Sequence, residues 1–170
     1  MKVTLSEIEH HHLRYMKDWR NDPELLSRNR QWRWLTMEDQ EEWYRGLHKC
    51  KWPEHLMFLI RVAKTPAWNR PVGACGLTNI DWIARSAEVS IYVGEPEFRC
   101  QGVGSEALRL LEEWAFERMN LVMLWAEVYS HAGHVIGFLK KNGYGQCGSR
   151  VNSVYKEGMM RDSLYYAKWE

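Results

Sequence analysis

Long apolar runs are missing from this 170-residue chain: no segment approaches the roughly 20 consecutive apolar residues that a helix needs to cross a bilayer. The N-terminus reaches Glu7 and Glu9 before any apolar stretch of useful length, so no signal peptide is expected. Cysteine is sparse. Cys50, Cys75, Cys100 and Cys147 are widely spaced with no CxxC pair, and a cytoplasmic protein with reduced thiols is the expectation. Neither charge is in excess: 23 Lys and Arg stand against 22 Asp and Glu, interspersed, for a net charge of +1. That balance disfavours a dedicated nucleic-acid binder, which carries a basic stripe. Repeats, low-complexity tracts and Pro/Gly/Ser linkers are also absent, so residues 1–170 are expected to form a single domain.

What the chain does have is apolar content of 45% and 10 Trp. The first is ordinary for a globular core; the second supplies flat surfaces with one polar handle, suited to a core or a pocket. Leu13, Met16 and Trp19 recur at helical spacing until Asp22-Pro23 interrupts them. Thr36 with Asp39 and Glu38, Glu41 and Glu42 marks a second helix start, with Trp43, Tyr44 and Leu47 as its buried face. The run 56–62 is short and almost wholly apolar, as in a strand covered on both sides. Further strands are predicted from Pro71 to near Ile80, over 87–93 and over 121–129, and a helix over 103–119. A short helix over 135–141 and an antiparallel pair, 151–155 and 163–168, complete the chain. The order predicts a mixed α/β layered domain.

Chemistry concentrates at Arg99-Cys100-Gln101-Gly102-Val103-Gly104-Ser105, between a predicted strand and a long helix. Two glycines permit a tight turn and bring bare amides close to a ligand. The helix start adds unpaired N–H groups and a positive dipole end, which together favour a phosphate or pyrophosphate. A turn that merely caps the helix is the plainer alternative. No Lys-Ser or Lys-Thr follows, so this is not a Walker A loop. Ala107 stands where a dinucleotide fingerprint has its third glycine.

Arg99-x-x-Gly102-x-Gly104 resembles the (Gln/Arg)-x-x-Gly-x-(Gly/Ala) signature of the GNAT N-acetyltransferase superfamily. The segment 87–94 is similar to that superfamily's fourth strand, 107–116 to the helix after its pyrophosphate loop, and Lys141-Asn142-Gly143-Tyr144 to the end of its following short helix. Segments 18–24 and 76–81 resemble the branch holding ribosomal-protein and amino-sugar N-acetyltransferases.

This resemblance implies a central mixed, mostly antiparallel sheet, splayed between the fourth and fifth strands, with helices on both faces. It implies acetyl-CoA as cosubstrate and no metal. The pantetheine arm would pair with Ile91, Tyr92 and Val93, an amide there would polarise the thioester, and the pyrophosphate would lie on Arg99, Gln101, Gly102, Val103, Gly104 and Ser105. A base must accept the amine's proton, and Glu88 and Glu127 are the candidates, each with a solvated strand carboxylate as its plainer reading. Two departures stand out: Ala132 replaces a frequent Asn, and Leu139 falls where the family's usual Tyr acid stands. Tyr129, Ser130, Tyr144 or a water is left to protonate the thiolate, unless it leaves unassisted.

Arg28, Arg30, Trp32, Arg33 and Trp34 precede the second helix, where the family builds part of its acceptor pocket; they suit an anionic or flat acceptor or form a basic surface loop. Arg30, Trp34, Asp81 and Trp82 are the acceptor-binding candidates. His10-His11-His12 cannot form one metal site on a helix and is read as surface. The expected acceptor is a primary amine on a protein N-terminus, a nucleotide-linked amino sugar or a small polyamine, handled by a monomer or homodimer with no membrane attachment. The alternatives are a non-catalytic acyl-CoA sensor and an acetyltransferase for a nucleic-acid base amine.

Overall fold

The computed structural model describes residues 1–28, 31, 33–47, 49, 51–65, 68–156 and 158–170, without the side chains of Ser27 and Arg28. Among the described residues seven strands make one sheet: β1 (Lys2–Ser6), β2 (Leu56–Thr65), β3 (Trp68–Asp81), β4 (Ser86–Val93), β5 (Met123–Tyr129), β6 (Gly145–Lys156) and β7 (Met159–Trp169). Their order is β1-β2-β3-β4-β5-β7-β6, antiparallel except for β4 beside β5. The helices are α1 (Leu13–Arg20), α2 (Pro23–Arg28), α3 (Met37–Leu47), α4 (Val103–Glu113) and α5 (Gly133–Lys141). This is the mixed α/β domain expected, with helices on both faces.

Alternation along the strands assigns the two faces. Ala87, Val89, Ile91 and Val93 of β4, with Leu124, Ala126 and Val128 of β5, join the larger core with α4 and α5. Val103, Ala107, Leu108 and Leu111 give α4 its buried stripe, and each such Leu stabilises the fold by about 1.5–3 kcal/mol. The opposite face carries Glu88, Tyr92, Trp125, Glu127 and Tyr129. There Leu13, Met16, Trp19, Leu25, Leu59 and Ala74 form a smaller core, with Trp43, Tyr44 and Tyr92 packed against it.

Several boundaries differ from those predicted. Asp22-Pro23 ends α1 but also starts α2: Asp22 Oδ1 accepts the amides of Glu24 and Leu25 at 2.8 and 3.3 Å, and Pro23 sits where its missing N–H costs nothing. Thr36 and Asp39 cap α3 reciprocally, Asp39 N–H to Thr36 Oγ1 at 3.2 Å and Thr36 N–H to Asp39 Oδ2 at 2.7 Å. Arg33 grips the same carboxylate with two bonds of 2.7 and 2.8 Å and, as the largest influence, holds it well below the usual range. After Glu113 the helical path widens into a π-turn, Trp114–Arg118. His10 and His11 are exposed, but His12 is buried, its Nδ1 accepting the Glu9 amide at 3.0 Å.

Candidate active site

β4 and β5 touch along a short stretch only. Ser86, Ala87 and Glu88 pair with Met123, Leu124 and Trp125, and there the ladder stops although both strands run on. β4 stays with β3 to Gly73↔Val93, where the amides of Gly94 and Glu95 both reach Val72 O at 2.8 and 3.0 Å. β5 stays with β7 to Tyr129↔Ser163. Each strand is thus held from its outer side, and a gap opens between Val89–Val93 and Ala126–Tyr129. Backbone polar groups facing that gap have no strand neighbour there. Such groups need partners when covered, and an extended ligand bearing amides supplies them.

The open end of the gap leads to the glycine loop. Cys100 (φ 59°) and Gly102 (φ 82°) are both left-handed, with Gln101 between them. Gly102 caps α4 without a side chain, so the first amides of α4 have no such partner, and the Glu106 amide begins the ladder on Gly102 O at 3.1 Å. A Cβ on Gly104 would meet the Phe138 ring at 3.4 Å, an ordinary contact. Uncapped amides at the positive end of α4, beside an unpaired strand edge, fit a pyrophosphate joined to an amide-bearing arm.

The two candidate carboxylates lie on one sheet face at the inner end of the gap. Glu88 occupies the last paired rung, is 2% exposed, and takes a hydrogen bond from Asn79 Nδ2 at 2.8 Å. Glu127, two residues beyond Trp125, keeps 12% of its side chain exposed. Its Oε1 accepts from Ser163 Oγ, from Tyr165 OH at 3.2 Å and from Arg150 Nη2 at 3.1 Å. Burial, then the charge of Glu127, pushes the Tyr165 phenol up, which keeps it a donor. Ser163, Tyr165 and Arg150 escaped the sequence reading, because strand alternation does not say which neighbour a strand will face.

Other predicted residues are placed differently. Arg99 spends its guanidinium on protein: Nε reaches Val93 O at 3.0 Å, Nη2 reaches Gly94 O at 2.8 Å, and Nη1 pairs with Glu24. Tyr92 gives the gap neither its ring nor its backbone: the ring packs edge-on to Trp19, and the backbone, in step with the Gly94 amide that reaches Val72 O, faces Ala74 of β3, so Ile91 and Val93 present the free edge. Asp81 accepts the amides of Ile83 and Ala84 at 2.9 and 2.7 Å and closes the β3–β4 turn, while Trp82 Nε1 donates to Pro53 O at 3.1 Å. Both sit at the paired end of β4, and their polar atoms serve the turn. Trp34 is 73% exposed, and Arg30 lies outside the described residues.

Of the proton-donor candidates, Tyr129 stacks on His131 at 6.0 Å under the Lys156 ammonium. Tyr144 is buried on the α4 face, its phenol pushed up by burial and then by Glu112, which removes it from the site. Leu139, in the place of the usual acid, is core. Among the described residues, no group of His, Cys, Asp and Glu is placed to hold a metal ion, and no helix is long and apolar enough to cross a membrane.

No curated protein matches the sequence. Among solved structures, a spermidine N-acetyltransferase from Vibrio cholerae in complex with CoA and spermine superposes with a TM-score of 0.87 at 20% identity, over 98% of this chain and 95% of that one. A dodecameric structure of spermidine N-acetyltransferase from the same organism gives 0.80 at 19% identity, over 98% and 93%. The family model described as acetyltransferase (GNAT) domain matches residues 2–145. The chain therefore belongs to the GNAT acetyltransferases, enzymes that move an acetyl group from acetyl-CoA to an amine.

Proposed function

We propose that residues 1–170 form one acetyltransferase domain that transfers acetyl from acetyl-CoA to a primary amine of a small polyamine, by direct attack in a ternary complex. The observation that carries this reading is the gap between Val89–Val93 and Ala126–Tyr129, which opens onto the uncapped start of α4. The pantetheine arm lies along Ile91–Val93, and the amides of 101–105 take the pyrophosphate. The amine nitrogen attacks the thioester carbon, the C–N bond forms, the C–S bond breaks and the thiolate leaves. The amide of Val93, which faces the gap, steadies the oxyanion, and Glu127 accepts the ammonium proton. Glu127 is preferred to Glu88 because it is the more exposed of the two. The polyamine is favoured by the carboxylates on the acceptor face and by the spermine held in the similar Vibrio cholerae enzyme.

Spermidine, spermine, a peptide with a free N-terminus and a nucleotide-linked amino sugar, each offered with acetyl-CoA, test the acceptor. Polyamines are expected to give the highest kcat/KM, with intersecting initial-velocity lines; preference for the peptide would reassign it. Glu127→Gln is expected to lower kcat by about 100-fold and to flatten the pH–rate profile, the scale of lost general-base help. Glu88→Gln is expected to change kcat far less. The reverse ranking would move the base to Glu88.

Thiol labelling gives a second check. Cys75 is buried and its thiol is pushed up to about 12 by that burial, whereas Cys100 and Cys147 are exposed. Maleimide at pH 7 is expected to modify Cys100 and Cys147 and to spare Cys75. Acetyl-CoA should protect Cys100, which lies in the loop, and leave Cys147 unchanged. Equal labelling of Cys100 with and without acetyl-CoA would count against the loop as the pyrophosphate seat.

A further inference from the structure

Arg99 stands first in the glycine loop, yet the fork of its guanidinium turns away from the loop amides and onto two consecutive carbonyls, Val93 O at 3.0 Å and Gly94 O at 2.8 Å. Its outer nitrogens face the corner between α1 and α2: Nη1 meets Glu24 Oε2 at 2.5 Å, and Nη2 lies 3.8 Å from Asp22 Oδ2. Asp22 meanwhile holds the start of α2 through the amides of Glu24 and Leu25. Trp19 of α1 closes the same junction from above. Its Nε1 donates to Glu95 Oε1 at 3.0 Å, and its indole lies so close over Gly94 that a Cβ there would come within 2.1 Å.

We propose that Arg99 is a positioning residue, which locks the exit of β4 to the α1–α2 corner and so fixes the spacing between the cofactor strand and the helices over the acceptor face. The proposal rests on the acetyl-transfer reading above. Charge supports it: the guanidinium is already paired with the carboxylates of Glu24 and Asp22. Geometry supports it too, because a planar fork is suited to bridging fixed acceptors. With the carbonyls of Val93 and Gly94 pinned, the strand cannot slide along the thioester. Displacements of about 1 Å at such a position lower rates about 100-fold.

The test compares acetyl-CoA with S-acetylpantetheine, which lacks the pyrophosphate, as acetyl donors to spermidine. If Arg99 acts through β4, Arg99→Gln lowers kcat/KM for both donors by the same factor, about tenfold for one lost charged hydrogen-bond set. Asp22→Asn with Glu24→Gln, which leaves the carbonyl fork in place, raises the KM for spermidine several-fold and leaves the KM for acetyl-CoA unchanged. Arg99→Lys, with one point charge and no fork, recovers the spermidine KM and only part of the donor kcat/KM. A loss confined to acetyl-CoA would make Arg99 a pyrophosphate ligand and overturn the proposal, as would an Asp22/Glu24 variant with unaltered spermidine KM. The unaltered protein is the control: if it fails to use acetyl-CoA, the acetyl-transfer reading itself falls, and the proposal with it.

Discussion

Gly104→Glu is expected to abolish acetyl-CoA binding while the protein still folds. The atoms nearest a Cβ at this position are the Phe138 ring at 3.4 Å and Val93 Cγ2 at 3.9 Å, contacts that the native packing accommodates. The carboxylate, by contrast, projects from the first turn of α4, where the amides await an anion. Two like charges 4 Å apart repel by about 4 kcal/mol at an effective dielectric of 20, and a pyrophosphate carries more than one, so affinity should fall roughly a thousandfold. Ligand that binds only the native state raises the unfolding midpoint. Acetyl-CoA is therefore expected to raise it in the unaltered protein and in Gly104→Ala, and to leave Gly104→Glu unmoved. A glutamate variant that still responds to acetyl-CoA would place the pyrophosphate elsewhere.

Gly94→Ala is expected to be the most destabilising small change at the junction of α1 and β4. The added methyl would stand 2.1, 2.3 and 2.6 Å from Trp19 Cγ, Cδ2 and Cδ1, so the indole must leave its place. Trp19 is buried and hydrogen-bonded to Glu95, so moving it disturbs the smaller core and the β4 exit together. Overpacking of this kind costs about 1–3 kcal/mol and occasionally more; the depth of this overlap argues for the upper end. Urea unfolding measures it directly. Trp19→Leu should recover part of the loss in the double variant, a coupling that separates steric overlap from a general weakening. Stability within about 0.5 kcal/mol of the parent would show that Trp19 is not held over Gly94 as described.

The sequence carries local signals well. Helical spacing at Leu13, Met16 and Trp19, the Thr36–Asp39 cap and the period of β4 and β5 all appear where they were predicted. The pattern predicts β6 over 151–155, whereas it spans Gly145–Lys156, because an edge strand exposed on both faces leaves no apolar alternation to detect. The loop from Arg99 to Ser105 was legible as an anion seat from its two glycines and the helix that follows. What was not legible is tertiary. Arg99 pairs with Glu24, 75 residues away, and Glu127 takes hydrogen bonds from Arg150, Ser163 and Tyr165, 23, 36 and 38 residues away. Asp81 and Trp82 have residue types suited to a pocket wall, and only the folded turn shows their polar atoms already used.

Amide hydrogen exchange with and without acetyl-CoA reports where on the fold the cofactor sits. Slowed exchange is expected at Ile91 and Val93 and at residues 101–105, together, with the rest of the sheet little changed. A second concavity makes the measurement decisive: a groove of about 920 Å³ lies between β1 and α4, lined by Val3, Leu5, Phe58, Leu110 and Trp114. Protection along that groove, with the β4 edge and the glycine loop unaffected, would put acetyl-CoA between β1 and α4 and remove the glycine loop from its binding.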